Sequence, residues 1–236
     1  MQISFFEEFP TKENLEKLKF IDFQVKLYLA AKSLAEFKSI KRSIKNKHVK
    51  EITYWPVLAK KEGYWFSAYS NRSGLRRVLG ELKNSKIAVM LDLELPTSHN
   101  IWLYLTQKYN FFGNKRIIRE FIENYQGRVY ASEYFPNRPK WFSLFGLHFK
   151  NTKVIKMLYH SMHDFSQEFM ENYCKKNKVL GFGTIATGIL GTEKILAPEQ
   201  LKEDLFVAKD NKVEEVVIFR LGGLNEEYNK IIKPFT

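Results

Sequence analysis

Apolar positions along this chain come in short strand-like runs, each closed by a turn residue and followed by a stretch with helical spacing. Eight runs read as strands: 3–9, 24–31, 51–57, 87–95, 128–135, 154–160, 179–187 and 215–221. Between them the apolar residues fall three and four apart, with polar side chains on the opposite face, as in amphipathic helices. Start signals agree with this pattern. Pro10 stops the first strand and Thr11 is placed to cap a helix bearing Leu15 and Leu18. Ser33-Leu34-Ala35-Glu36 has the form of a capping box. Ser70 or Asn71 opens a helix whose stripe is Leu75, Val78, Leu79 and Leu82. A long helical zone after the fourth strand is expected to break near Gly113 and resume through Ile117, Ile118, Phe121 and Ile122. Trp141, Phe142, Phe145 and Phe149 mark an aromatic helical segment after the fifth strand. Asp164, with Gln167 three residues on, is expected to start the helix that runs to about Lys176. Pro198 suits the first turn of the next helix, and Asn225 the cap of the last.

Strands separated by helices imply parallel βαβ units. Eight such units in 236 residues predict an α/β fold, a (β/α)8 TIM-like barrel formed by residues 1–236 as a single domain. The rival is an open doubly wound sheet. Its dinucleotide-binding form needs a glycine-rich turn after the first strand, where this chain has Glu7, Glu8 and Pro10.

Composition narrows the function classes. No apolar run approaches the ~20 residues needed to span a bilayer, so no membrane partner is expected. The first residues carry Glu7 and Glu8 instead of a basic region, unlike a secretory signal. Cys174 is the only cysteine. It rules out an internal disulfide and a thiolate metal site, and it makes the cytoplasm the default compartment. Lysine and arginine outnumber the acids 38 to 26, for a net charge of +12. That excess could attract anions or nucleic acid. Its densest run, Lys38, Lys41, Arg42, Lys45, Lys47 and Lys50, nevertheless alternates with Phe37, Ile40 and Ile44 like a solvated helix face, and no nucleic-acid motif accompanies it. A small molecule or a carbohydrate is the expected partner. The oligomeric state is not encoded in any feature of the chain.

In a (β/α)8 barrel the C-terminal strand ends converge on one mouth, where the chemistry takes place. The polar residues at those ends form the candidate site. Asp92 and Glu94 close the fourth strand, and strand alternation would put both on one face at roughly 6–7 Å along the backbone. Two acids leaving an apolar run are costly to bury without partners. Glu133 ends the fifth strand, with Arg138 as a possible salt-bridge partner. Tyr159 and His160 end the sixth, and Arg220 the eighth. Glu8 comes from the first strand, Tyr54 and Trp55 from the third, and Tyr69 from the stretch after it. Paired carboxylates in unlike environments carry out acid–base work, and a glycosidase needs such a pair. The aromatics would supply stacking surfaces for sugar rings. On this reading Glu94, Asp92, Glu133 and Tyr159 are catalytic, and Glu8, Tyr54, Trp55, Tyr69, His160 and Arg220 bind substrate.

The fourth strand resembles the DxxDxDxE signature of chitinase-like (family 18) glycoside hydrolases. Its last two acids match Asp92 and Glu94, while the first two positions hold Ile87 and Met90. Met157-Leu158-Tyr159-His160 resembles that family's MxYD, with histidine in place of the aspartate. The eighth strand reads Phe219-Arg220-Leu221-Gly222-Gly223, without the family's tryptophan. The resemblance implies a TIM barrel in which Glu94 is the general acid, Asp92 orients a substrate acetamide, and Tyr159 hydrogen-bonds the developing intermediate.

Two other chemistries fit the same barrel. Gly183 in the loop after the seventh strand, and Gly222 and Gly223 after the eighth, lie where barrels often hold phosphate against exposed N–H groups. An isomerase, lyase or aldolase acting on a phosphorylated metabolite would follow. No cofactor is required, but Glu8, Asp92, Glu94, Glu133 and His160 would make an oxygen-rich set suited to a divalent metal such as Mg²⁺. A barrel that binds without catalysis is the third reading.

Overall fold

The computed structural model describes residues 1–94, 101–134 and 152–236, without the side chains of residues 101 and 134. Eight strands form a closed barrel in chain order. They are β1 (Gln2–Glu7), β2 (Val25–Ala31), β3 (Val49–Pro56), β4 (Val89–Asp92), β5 (Val129–Tyr134), β6 (Lys153–Leu158), β7 (Val179–Phe182) and β8 (Glu215–Phe219). Among the described residues β1 pairs in parallel with β2, β3 with β4, β4 with β5, β6 with β7 and β7 with β8. The first strand closes in parallel on the last through Gln2↔Glu215 to Phe6↔Phe219. The helices between the strands are α1 (Lys12–Glu16), α2 (Leu34–Ser43), α3 (Arg72–Leu82), α4 (Ile101–Gln107), α5 (Phe111–Asn124), α6 (Gln167–Lys176), α7 (Pro198–Asp210) and α8 (Glu226–Ile232). The chain divides into two compact units. One holds Met1–Ala30, Ile40–Ile52 and Ile155–Thr236, and the other Ala31–Ser39 and Thr53–Val154.

The caps follow the local chemistry. Thr11, Asn71 and Asn225 each accept backbone N–H bonds at the starts of α1, α3 and α8, and Pro198 occupies the first turn of α7. Two expectations are corrected. Ser166, not Asp164, caps α6, because its hydroxyl accepts from Phe169 N. The helical zone breaks at a 3-10 turn over Lys108–Asn110, and Gly113 lies inside α5. There a Cβ would stand 3.0 Å from the guanidinium of Arg72, so this glycine permits a close approach and does not end a helix. The aromatic segment with Trp141, Phe142, Phe145 and Phe149, and the partner Arg138 considered for Glu133, lie outside the described residues.

Register shows which residues share a face. In the first unit Ser4, Lys26, Phe6, Tyr28, Val217 and Phe219 fall on one side of β1, β2 and β8. This is the inward side, because Tyr28 of β2 reaches Glu215 of β8 across the intervening β1. At the N-terminal end of the strands it carries a buried polar group. Glu215 Oε1 accepts from Ser4 Oγ (2.7 Å) and Tyr28 OH (2.8 Å), and Lys26 Nζ lies 3.5 Å from the same oxygen. Above it Phe6, Tyr28 and Phe219 fill the layer with ring centroids 5.3–6.3 Å apart.

Candidate active site

In the second unit the end of β4 holds a carboxylate. Asp92 is the last residue of that strand, on the face shared with Met90 and opposite Val89 and Leu91. It is buried, 4% exposed, and its Oδ1 accepts a 2.6 Å hydrogen bond from Ser132 Oγ, the residue beside it in register on β5. Its own carbonyl accepts from Phe66 N (2.9 Å), which ties the loop after β3 to the strand end. Because β4 closes at Asp92, Glu94 stands in the following loop, and strand alternation does not reach it. Glu94 and Glu133 are both partly exposed.

The aromatics of this unit divide. Tyr54 faces outward. Its ring stacks on Phe37 of α2 at 4.8 Å, its hydroxyl donates to the Ala31 carbonyl (3.3 Å), and it is fully buried. Burial pushes its phenol well above the ordinary value, with smaller contributions from Glu81 and Glu36. Tyr54, expected to contact a ligand, thus packs strand against helix. Trp55, one residue on, takes the opposite face and is buried as well. Tyr69 packs between Tyr104 (4.9 Å) and Phe111 (5.0 Å).

In the first unit the two glutamates after β1 separate. Glu7 turns outward and is a structural clasp. Its carboxylate accepts from Phe9 N (2.7 Å), Gly222 N (2.7 Å) and Arg220 Nη1 (3.2 Å). Burial raises its carboxyl above the ordinary value, against the pull of Arg220 and the two amides. Arg220, expected to bind substrate, thus reaches Glu7 and the Thr187 carbonyl. The Gly222 N–H, expected to be available for phosphate, is already given to a carboxylate. Gly223 lies against the Ile185 carbonyl so closely that a Cβ there would overlap it, and Gly183 takes φ +110° at the end of β7. All three glycines have conformational or packing reasons to be glycine.

Glu8 turns the other way. It is 5% exposed, and its Oε2 accepts from Ile189 N (2.9 Å). A Cβ on Gly188 would lie 2.7 Å from that oxygen, 2.7 Å from the Phe219 ring and 2.9 Å from Glu193 Oε1, so both carboxylates border one small space beside Phe219. Tyr159 is buried on the same side, its ring 6.1 Å from Phe219. Glu193 has one carboxylate oxygen buried without a hydrogen-bond partner. Sequence reasoning misses it because it stands in a loop, where no periodicity points to it.

His160 turns toward α7. Its Nδ1 lies 2.7 Å from Asp204 Oδ1 on α7, and Nε2 is 3.3 Å from the Phe165 carbonyl. Burial alone would lower its pKa, but the hydrogen bond and charge of Asp204 outweigh this and raise it. Burial likewise raises the Asp204 carboxyl. His160 borders a cavity of about 320 Å³ with His163, Asp164, Lys194 and Ala197. Among the described residues no group of three or more His, Cys, Asp or Glu could hold a metal ion.

No family model matches the chain, and no curated protein matches its sequence. Solved structures do match its fold. The xylose isomerase domain protein from Planctomyces limnophilus superposes with a TM-score of 0.59 at 6% identity, covering 100% of this chain and 95% of its own. A GH18 chitinase from Pseudoalteromonas aurantia gives 0.58 at 10% identity, covering 100% of both. The PgaB (BpsB) glycoside hydrolase domain from Bordetella bronchiseptica gives 0.55 at 8%, covering 98% and 97%. The chain is a TIM barrel, and at these identities the likeness extends to the fold alone.

Proposed function

We propose that this barrel is a carbohydrate-acting hydrolase that uses carboxylate acid–base chemistry at the end of β4. The observation that carries the reading is Asp92, a buried carboxylate at the C-terminal end of a barrel strand, held by Ser132 with the partly exposed Glu94 two residues on. Barrels place their chemistry at that end. In this reading Glu94 gives its proton to the glycosidic oxygen as the bond to the sugar carbon breaks. Asp92 supplies negative charge toward the cation that forms there. Water then adds to that carbon, and its proton returns to Glu94. The chitinase and the glycoside hydrolase domain among the similar folds support a carbohydrate substrate.

The test is a screen of aryl glycosides, with sugar phosphates beside them and with and without Mg²⁺, on wild type, Glu94→Gln and Asp92→Asn. Hydrolysis of a glycoside that falls about 10²–10⁴-fold in Glu94→Gln is expected for loss of a general acid. Turnover unchanged in that variant, or confined to the sugar phosphates, would remove the proposal.

A further inference from the structure

The outer face of α4 and α5 carries a stripe of large apolar side chains left in water. Trp102, Leu105, Tyr109 and Phe112 are 70%, 53%, 86% and 82% exposed. Trp102 and Leu105 lie three residues apart on α4, and Tyr109, in the 3-10 turn, stands three residues before Phe112 on α5, spacings that keep each pair on one side. The opposite side is occupied: Leu103, Ile118 and Ile122 are buried, and Tyr104 and Phe111 pack on Tyr69. Among the described residues the other large exposed apolar side chains are Met162 and Ile195, which border the cavity beside His160, and Phe206 on α7. Scattered exposed apolar residues are ordinary, whereas a contiguous row marks an interaction surface.

Charge identifies the occupant. From residue 101 to residue 124 the cations are Lys108, Lys115, Arg116 and Arg119, against the acids Glu120 and Glu123. Lys108 lies over the Tyr109 ring at 4.8 Å, and Arg116, 80% exposed, reaches forward to Glu120. Partial burial, and then the charge of Arg119, hold the Lys115 ammonium below its ordinary value, so this face gathers like charge. The whole chain carries +12. A second copy would bring the same surplus of cations to the contact, since the acids of α5 are Glu120, already paired with Arg116, and Glu123. An anionic bilayer surface supplies both missing complements: negative headgroups for the cations, and an apolar boundary for tryptophan, tyrosine, phenylalanine and leucine. We propose that the α4–α5 face docks this protein peripherally on an anionic lipid surface. No helix among the described residues is long and apolar enough to cross a membrane, so the mode is lying on the surface and not spanning it.

The experiment is vesicle flotation of the full chain with phosphatidylcholine alone and with phosphatidylcholine plus phosphatidylserine. Wild type is compared with Trp102→Ser/Tyr109→Ser/Phe112→Ser and with Arg116→Gln/Arg119→Gln. These sites are exposed, and circular dichroism verifies that each variant is folded. Expected is flotation with the anionic vesicles only, weakened by added salt and reduced roughly tenfold or more in each variant. Failure of folded wild type to float overturns the proposal, as does flotation unchanged by the aromatic substitutions. Sedimentation velocity and titration with single-stranded RNA run in parallel. Self-association or RNA binding that the aromatic variant abolishes, without lipid binding, reassigns the face to a second copy or to nucleic acid.

Discussion

Glu7 and Arg220 meet across the β1–β8 seam of the barrel, with the Glu7 side chain fully buried and Arg220 Nη1 3.2 Å from its carboxylate. The same carboxylate takes the N–H groups of Phe9 and Gly222, so one side chain pins the chain after β1 to the turn after β8. Removing it strands a guanidinium and two amides. Glu7→Ala is expected to cost about 3 kcal/mol. Glu7→Gln keeps one acceptor oxygen and is expected to cost less. Urea unfolding of the two variants checks the order, and equal costs would mean that the donors find water instead.

His160 and Asp204 make stability depend on pH. The folded pKa of His160 lies above its ordinary value of ~6.5 because of Asp204. The pair's contribution is therefore fully present below that ordinary value and is lost as pH rises through the raised folded value. Asp204, also raised, acts in the same direction. Thermal melts of wild type should thus lose stability as pH climbs through this window, and His160→Gln should flatten the profile. An unchanged profile in the variant would place the dependence elsewhere.

Ser132 acts on the proposed chemistry through Asp92. Ser132→Ala removes a 2.6 Å hydrogen bond to the carboxylate and leaves the carboxylate in place. Its effect on kcat is expected to be smaller than that of Asp92→Asn, on the order of tenfold, and the pH–rate profile should shift as Asp92 loses a donor. A loss equal to that of Asp92→Asn would make the hydroxyl itself a participant.

Tyr54 separates packing from binding. Tyr54→Phe gives up one hydrogen bond to Ala31, worth about 1 kcal/mol, while Phe37→Ala beneath it should cost about 3–5 kcal/mol. Neither change is expected to alter KM for whichever glycoside the screen identifies. A KM that rises in Tyr54→Phe would return this residue to the binding surface.

Gly223→Ala tests the packing of the turn after β8. The added methyl would overlap the Ile185 carbonyl, and overpacking of this kind costs typically ~1–3 kcal/mol. Denaturation midpoints measure it. An alanine tolerated without loss would free this glycine from a packing role.

The barrel is legible in the sequence because each strand is a short apolar run and each helix a stripe, and Thr11, Asn71, Pro198 and Asn225 stand where caps and first turns require them. Strand ends are less legible. Nothing in the residues from Ile87 to Leu95 marks Asp92 as the last strand position, so alternation extends one step too far and assigns Glu94 a face. Tyr54 and Trp55 are adjacent and both aromatic, and alternation says they face opposite ways without saying which faces α2. A strand-end position draws His160 toward the mouth, whereas its partner Asp204 lies 44 residues later on a helix. Glu193 sits in an aperiodic loop. Contacts of this long-range kind are made by the fold and leave no local pattern.

The buried Lys26–Glu215 contact has a consequence for assembly of the sheet. Parallel strands made of near-continuous Val, Leu and Phe would pack almost as well if one slid along its neighbour by two residues, since the same face would remain inward. Such a slide at β2 would carry the Lys26 ammonium and the Tyr28 hydroxyl together away from Glu215 and Ser4 and set the ammonium in an apolar layer. The misaligned sheet is thereby penalised at its first closure. This one cation acts as an alignment key for strands that are otherwise interchangeable in hydrophobicity.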